Sequence, residues 1–314
     1  MHADIAQIQR DLTARGYVAD REIATAIHLS AKLERPLLIE GPAGVGKTAI
    51  AKTMASILET ELIRLQCYEG LDSSTAIYEW NYQKQLLHIR MTEGQGQTLS
   101  EREAEIFSLD FLLQRPLLRA IRADTAPVLL IDEIDRADEE FEAFLLELLS
   151  DWQVSVPELG TLSAKEVPHT ILTSNRVREL SDALRRRCLY LWIDYPPFDK
   201  ELQIVRVSVP ELSERMSAQL VSVVQLLRRL ALDKPPGVAE SLDWAAALAV
   251  MNIERLDRDA LQTTVSALLK HSEDQRRFRS SWLDALLAAL VVLEPGNEAL
   301  HLEQAYRQLQ LALK

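Results

Sequence analysis

The sequence predicts an α/β fold in which a parallel sheet is followed by an all-α region. Short apolar runs bounded by Pro, Gly or polar residues are typical of buried parallel strands, and five of them occur, at 36–40, 61–66, 128–132, 169–174 and 189–193. Segments with helical spacing lie between these runs, for instance 47–58 and 138–150, which predicts a sheet covered on both faces. From residue 199 onward the apolar residues keep helical spacing.

Breaks in the pattern indicate where these regions begin and end. Residues 1–35 have apolar positions near helical spacing, interrupted at Gly16, and predict helices before the first strand. The pair Pro196–Pro197 stands where strand-like runs cease, so we place a domain boundary near residue 197. A later Pro–Gly pair isolates a last helix at about 298–313.

Two stretches do not fit the alternation of strands and helices. In residues 76–102 the segment IYEWNYQKQLLHIR predicts a hairpin, and the segment TEGQGQTLS after it predicts a loop. Trp80 and Tyr82 in this stretch either contact a protein on which this chain acts (a client) or pack within the hairpin. Residues 152–168 predict a second extended excursion, which turns at Gly160. Insertions of this length inside a compact domain are often functional loops.

The composition is that of an ordinary globular protein. The chain has 314 residues, 47% of them hydrophobic and 26% charged, enough for about two domains. The net charge of −12 argues against a protein that coats nucleic acid, because such binding depends on Lys and Arg, although it leaves room for a local basic patch. Two cysteines, Cys67 and Cys188, cannot build a disulfide scaffold or a four-cysteine metal site, and we expect both to be small core residues.

Neither a leader nor a membrane span is predicted. The first residues, MHADIAQIQRD, are polar and charged, unlike a signal peptide. The best apolar run, Ala285–Leu293, is far shorter than the ~20 residues that cross a bilayer. We therefore expect a soluble, cytoplasmic protein.

The strongest motif follows the first predicted strand and matches the phosphate-binding pattern G-x-x-x-x-G-K-[ST]. Its residues are Gly41, Pro42, Ala43, Gly44, Val45, Gly46, Lys47 and Thr48. Glycines let backbone N–H groups turn inward around phosphate oxygens, and the helix that follows directs its positive end at the anion. Lys47 is expected to reach the β- and γ-phosphates and Thr48 to ligate Mg²⁺. The pattern predicts binding of ATP with Mg²⁺.

Two further strands end in polar residues that suit nucleotide hydrolysis. In VLLIDEID (128–135), Asp132 can hold Mg²⁺ and Glu133 can polarise an attacking water. In ILTSN (171–175), Asn175 can orient water against the γ-phosphate, although a turn-forming asparagine is an equal alternative. The acidic residues at 138–140 suit the first turn of a helix.

Three adjacent arginines precede the fifth predicted strand. Arg185, Arg186 and Arg187 lie in ALRRRCLYLWI, where a guanidinium can stabilise charge on a phosphoryl group in a neighbouring subunit. A basic helix end that complements the helix dipole is the alternative. Three consecutive side chains cannot all face one site.

The order of these motifs resembles that of AAA+ ATPases. GPAGVGKT, VLLIDEID, TSN and DALRRRC occur in that order before a helical region. The stretches GYVADREIATA, LQCYEGLDSSTAIYEWNY and PELGTLSA are similar to the MoxR branch, and within it to members associated with carbon monoxide dehydrogenase maturation (CoxD-like). The resemblance runs from about residue 15 to about residue 275.

The resemblance implies an architecture of three parts and an ATPase reaction. Residues 1–197 are the nucleotide-binding αβα domain around a five-stranded parallel sheet, 198–275 a helical lid and 276–314 a helical C-terminal extension. Residues 68–92 match the helix 2 insert, and 152–167 match the hairpin before the sensor 1 strand. The implied reaction is Mg²⁺-dependent hydrolysis of ATP to ADP and phosphate.

The resemblance also implies residue roles and partners. Asn175 matches the sensor 1 residue and Arg187 the trans-acting arginine finger, with Arg186 as the fallback. A hexameric ring is expected, together with a partner that contains a von Willebrand factor A domain. The client is expected to be a protein, such as a molybdenum- or other metal-containing enzyme that the ring matures in the manner of a chaperone.

One departure from the family pattern concerns the lid. In the segment GVAESLDWA (237–245), Ser241 stands where the family carries a sensor 2 arginine. A nucleotide-gated scaffold that does not hydrolyse ATP is therefore one alternative function, although Lys47, Asp132 and Glu133 argue against it. A DNA-directed motor or loader is another, which the acidic composition disfavours.

Overall fold

The computed structural model describes residues 2–92, 98–291 and 298–313. Its contacts divide the chain into two compact units. The first comprises residues 1–15, 19–41 and 47–192, and the second comprises residues 16–18, 42–46 and 193–314. The domain bounds given above at 197 and 275 stay predictions.

The first unit alternates strands and helices. Its strands are β1 Leu37–Glu40, β2 Leu62–Gln66, β3 Tyr78–Trp80, β4 Leu112–Gln114, β5 Val128–Asp132, β6 Gln153–Val156, β7 Gly160–Ser163, β8 His169–Ser174 and β9 Leu189–Trp192. Its helices are α1 His2–Ala14, α2 Arg21–Leu33, α3 Lys47–Leu58, α4 Ser73–Ile77, α5 Tyr82–Met91, α6 Leu99–Ile106, α7 Pro116–Arg122, α8 Glu139–Asp151 and α9 Asp182–Arg187. Short 3₁₀ turns occupy Leu109–Phe111 and Ile134–Arg136.

Five strands form one parallel sheet in the order β2-β5-β8-β1-β9. They are the five apolar runs of the sequence, so the predicted α/β fold with a parallel sheet is confirmed. Every residue of β1 and β5 is buried, because α3 packs against β5 and α2 against β1 and β9. The register brings the strand ends together: Gln66 lies beside Asp132, and Glu40 beside Ser174.

The first excursion is not the hairpin that the sequence predicts. β3 pairs antiparallel with β4, some thirty residues later, and α5 begins directly after β3. The side chain of Asn81 accepts a hydrogen bond from the N–H of Lys84 at 3.0 Å, and this N-cap turns the chain from strand into helix. Trp80 is buried against Phe107, whereas Tyr82 is exposed. The predicted loop TEGQGQTLS falls partly on 93–97, outside the described residues, and its last two residues begin α6.

The second excursion is a two-stranded antiparallel sheet. β6 pairs with β7, from Gln153 opposite Ser163 to Val156 opposite Gly160. Gly160 has a φ of 79°, a backbone conformation that glycine adopts without steric cost. Val154 and Val156 are buried in the apolar cluster of the first unit, so one face of this sheet belongs to the core.

The second unit is helical in its described residues, as the sequence predicts. Its helices are α10 Phe198–Ser208, α11 Glu214–Arg228, α12 Val238–Val250, α13 Arg258–Leu268, α14 Ser272–Arg277, α15 Leu283–Leu290 and α16 Glu298–Ala312, with a π-helical turn at Phe278–Trp282. One apolar cluster includes Trp244 of α12 and Leu309 of α16, so segments on both sides of residue 275 share a core. No helix among the described residues is long and apolar enough to cross a membrane.

Candidate nucleotide-binding site

The phosphate-binding loop follows β1 and leads into α3. Gly44 and Gly46 have φ values of 77° and 93°, left-handed conformations that strain a residue with a Cβ. The N–H of Gly41 donates to the carbonyl oxygen of Ser174 at 3.3 Å, so the start of the loop is tied to the end of β8. The positive φ values account for glycine at positions 44 and 46, and the expected contacts of the loop's N–H groups with phosphate stay a prediction.

Lys47 is the first residue of α3, and its side chain is buried. Its Nζ donates to the carbonyl oxygen of Gly41 at 2.8 Å and to Oδ1 of Asn175 at 2.7 Å. Burial lowers the pKa of Lys47 to about 8, while the charges of Asp135, Asp132 and Glu133 partly oppose that shift. Lys47 therefore lies among carboxylates but has lost part of its hydration.

Asp132 ends β5 and is held from both neighbouring strands. Its Oδ1 accepts hydrogen bonds from Oγ1 of Thr173 on β8 at 2.5 Å and from Oγ1 of Thr48 at 3.1 Å. Its Oδ2 accepts from Nη2 and Nε of Arg64 on β2 at 2.6 and 3.0 Å. The carboxylate of Asp132 and the hydroxyl of Thr48 are hard oxygen donors side by side, which fits the ligand preference of Mg²⁺.

Glu133 follows β5 with a left-handed φ of 56°. Its N–H donates to Oγ1 of Thr173 at 3.0 Å, which fixes this turn of the backbone. Its Oε1 accepts from Nδ2 of Asn175 at 3.2 Å, and its Oε2 accepts from Nε2 of Gln66 at 3.1 Å and from Arg136 at 2.8 Å. The side chain of Asn175 therefore joins Lys47 to Glu133.

The three arginines of α9 have different environments. Nη2 of Arg185 lies 3.4 Å from Oε1 of Glu40, a fully buried carboxylate at the end of β1. Arg186 and Arg187 are exposed, and the guanidinium of Arg187 donates to the hydroxyl of Ser150 on α8.

A further arginine holds the carboxyl-terminal end of α9 in place. Arg35 donates to the carbonyl oxygens of Arg186, Arg187 and Cys188 at 2.7 to 3.2 Å. These carbonyls carry the negative end of the helix dipole, which a guanidinium stabilises.

Ser241, which the sequence resemblance aligns with a sensor 2 arginine, lies in the core of the second unit. It is fully buried, and its hydroxyl donates to Oε1 of Glu201 at 2.8 Å. The start of α12 contacts Ala43 and Gly44, which belong to the same unit. The N–H of Ala239 donates to the carbonyl oxygen of Gly44 at 3.1 Å, and a Cβ added to Gly237 would lie 2.8 Å from the carbonyl oxygen of Ala43. The backbone at the start of α12 therefore meets this loop.

A comparison with known protein families identifies the domain that contains Lys47, Asp132 and Asn175. Residues 36–188 match the family model described as "AAA domain (dynein-related subfamily)". The matched stretch is an AAA domain.

Two curated relatives are similar over much of the chain. The gas vesicle ATPase GvpN of Haloferax mediterranei is 24% identical over 261 residues, covering 76% of this chain and 70% of that protein. The denitrification regulatory protein NirQ of Stutzerimonas stutzeri is 25% identical over 202 residues, covering 62% of this chain and 64% of that protein. Among solved structures, the Thermotoga maritima RuvB Holliday junction branch migration motor aligns with a TM-score of 0.45 at 18% identity, over 93% of this chain and 85% of that one.

Several polar residues of the AAA domain were not predicted from the sequence. Arg64, Gln66 and Thr173 bind Asp132 or Glu133, and Asp135 contacts the turn after β8. The available signal was the alternation in β2, where Arg64 and Gln66 face the same way next to buried Ile63 and Leu65.

The two cysteines behave as the sequence predicts. Cys67 and Cys188 are buried and unpaired. Burial raises the pKa of each thiol to about 12, so neither is a thiolate near neutral pH. Both are small core residues.

Proposed function

We propose that this chain is an Mg²⁺-dependent ATPase of the MoxR branch that remodels or matures a protein client. One observation carries the proposal: hydrogen bonds join Lys47, Asn175 and Glu133, and others join Thr48 to Asp132, at the carboxyl edge of the parallel sheet. Thr173 connects the two groups, because its Oγ1 donates to Asp132 and accepts from the N–H of Glu133. Ligands of open α/β sheets bind at that edge, and the phosphate-binding loop begins there.

Each member of the cluster has a chemical task in hydrolysis. Lys47 carries positive charge to the β- and γ-phosphates, and the N–H groups of the loop that precedes it bind phosphate oxygens. Thr48 and Asp132 hold Mg²⁺. The metal ion supplies positive charge to the phosphate oxygens when bound.

Glu133 is the proposed general base, and Asn175 orients the attacking water. The water oxygen forms a bond to the γ-phosphorus while the bond from that phosphorus to the bridging oxygen of ADP breaks. Glu133 accepts a proton from the water, and ADP and phosphate leave. The hydrogen bond from Asn175 to Glu133 supports this assignment, because it places both polar groups within reach of one water molecule.

The proposal extends to a ring of identical subunits. Arg187 of a neighbouring copy, or Arg186 in its place, then neutralises charge on the transferring phosphoryl group. Two observations support an arginine supplied by a neighbouring subunit. Both side chains are exposed, and Arg35 fixes the end of α9 that carries them, so they can contact another subunit without a rearrangement of the helix.

The client is proposed to be a protein, in keeping with the CoxD-like resemblance to factors that mature metalloenzymes. A partner with a von Willebrand factor A domain belongs to the same proposal. Of the two curated relatives, GvpN is named as a gas vesicle ATPase and NirQ as a denitrification regulatory protein.

Replacement of the general base tests the ATPase. In Glu133→Gln we expect ATP binding within about threefold of the wild type and a loss of turnover of at least ~100-fold, since general-base catalysis supplies about 10²–10⁴. The measurements are ATP affinity by calorimetry and phosphate release. Glu140→Gln, an exposed glutamate of α8, is the matched control and should hydrolyse normally. Normal turnover in Glu133→Gln would remove Glu133 from the mechanism, and a wild type that binds but never hydrolyses ATP would favour a nucleotide-gated scaffold.

A further inference from the structure

A buried carboxylate holds the turn that carries Asn175. Asp135 lies in the 3₁₀ turn after β5 and is 3% exposed. Its Oδ2 accepts two backbone hydrogen bonds, from the N–H of Asn175 at 3.1 Å and from the N–H of Val177 at 2.8 Å. Arg176, between these two amides, has a left-handed φ of 58°, a conformation that is unfavourable for a residue with a side chain. A single oxygen therefore holds a strained turn at both of its ends.

The position of this turn decides what Asn175 can reach. Asn175 has a short side chain, so the place of its amide group follows from the place of its backbone. From that place its Oδ1 accepts from Nζ of Lys47, and its Nδ2 donates to Oε1 of Glu133. A shift of the turn would lengthen both contacts at once.

We propose that Asp135 is a positioning residue that sets the 175–177 turn so that Asn175 can orient Lys47 and Glu133 for ATP hydrolysis. The inference rests on the proposed ATPase function. It concerns a residue that touches neither the nucleotide nor the metal ion in the mechanism above, and that acts through Asn175.

A competing explanation is that Asp135 acts through its negative charge rather than through its hydrogen bonds. Oδ1 is buried and has no hydrogen-bond partner among the described residues, so Oδ2 alone holds the 175–177 turn. We call this pair of hydrogen bonds to Oδ2 the clamp. The negative charge also acts on Lys47, where Asp135 opposes the fall in pKa more strongly than Asp132 or Glu133 does. Asp135 could therefore matter as an acceptor of fixed position or as a charge, and these two roles respond differently to substitution.

The far end of the same segment is held independently. Glu142 of α8 is 1% exposed, its Oε2 accepts from the N–H of Ser181 at 2.9 Å, and its Oε1 lies 2.5 Å from Nη2 of Arg178. Residues 178–181 therefore have their own anchor. Loss of Asp135 should displace the turn at Asn175 and leave the start of α9 in place.

A double-mutant cycle tests whether Asp135 acts through Asn175. We expect Asp135→Ala to lower kcat for ATP at least tenfold with a KM within about threefold, and to lower it by less than twofold in an Asn175→Ala background. The matched control is Asp138→Ala, which removes another aspartate that accepts a backbone N–H, from Phe141 at 2.8 Å, and should leave kcat unchanged. Equal loss of kcat in both backgrounds would overturn the proposal.

Conservative variants of Asp135 distinguish the position of its oxygen from its negative charge. They also test the proposal if Asp135→Ala does not fold. Asp135→Asn keeps an acceptor oxygen at the same reach, so we expect kcat within about threefold of the wild type. Asp135→Glu keeps the charge but moves the oxygens by a methylene, and we expect at least tenfold loss. The opposite order would show that the charge beside Lys47 is what matters, and would overturn the positioning role.

Hydrogen exchange gives a readout that does not depend on turnover. The amides of residues 175 and 177 should exchange faster in Asp135→Ala and Asp135→Glu, whereas the amide of residue 181 should not. Unchanged exchange at 175 and 177 would refute the clamp even if kcat fell. A wild type without ATP turnover would instead refute the proposed function, while the exchange result would still decide whether the clamp exists.

Discussion

Because the pKa of Lys47 is low, we expect the affinity for ATP to fall at alkaline pH. With a pKa of about 8, the charged fraction of Lys47 falls from about 91% at pH 7 to about 9% at pH 9 in the free protein. Only the charged form binds phosphate well, so the apparent Kd for ATP should rise about tenfold over this range. A lysine with an ordinary pKa of about 10.4 would still be about 96% charged at pH 9 and would give almost no change.

The sign follows from proton linkage. Bound phosphates favour the charged amine and raise its pKa, so binding at pH 9 must take up close to one proton per ATP. Calorimetry at pH 9 in two buffers of different ionisation enthalpy measures that uptake directly. The control is Lys47→Arg, whose side chain stays charged, so that any remaining pH dependence reports on ATP itself. Absence of proton uptake together with a constant Kd would refute the desolvation of Lys47.

Two further perturbations address the second unit and the assembly. Arg228→Ala should lower the free energy of unfolding in urea by about 3–5 kcal/mol, because it leaves the fully buried carboxylate of Glu201 without its charged partner. The oxygens of Glu201 accept from Arg228 at 2.6 and 2.7 Å. A loss below about 1 kcal/mol would show that the other donors to Glu201, Gln225 and Ser241, are sufficient. ATP turnover per subunit should rise with protein concentration as a ring appears by mass analysis, and Arg187→Ala should abolish that rise. Constant turnover in a monomer would refute a site completed in trans.

The strands were predictable because each is a short apolar run with a clear end. β5, for example, is five consecutive buried residues, and nothing in its sequence permits the alternation of a half-exposed strand. The same strands placed Lys47, Asp132, Glu133 and Asn175 at the end of the sheet, since carboxyl ends of parallel strands share an edge. The part of the site that follows from strand direction alone was therefore accessible from sequence.

The polar neighbours of the cluster could not be derived in the same way. Arg64 reaches Asp132 only because β2 lies next to β5, and Thr173 reaches it only because β8 lies on the other side. The order of strands is a tertiary property that no local pattern encodes. Asp135 belongs to the same class, since its partners are backbone amides about forty residues away.

The predicted hairpin after Ile77 failed for a related reason. Alternation in IYEWNY suits a strand, but the strand's partner is residues 112–114 rather than the adjacent segment. Asn81 caps a helix, Tyr82–Met91, that occupies most of the segment predicted as a hairpin. A short strand carries no information about which later segment will pair with it.

The place of β8 in the sheet also governs the order in which the chain can assemble. Among the described residues β1 pairs with β8 and β9, which lie about 130 and 150 residues later in the chain, whereas β2 and β5 can pair earlier. During synthesis β1 therefore has no partner strand on either edge until residues 169–192 have been made. The hydrogen bond from Lys47 to Asn175 cannot form before β8, which leads into Asn175, has been made. We therefore expect the proposed nucleotide site to form only after β8 and β9 have joined the sheet.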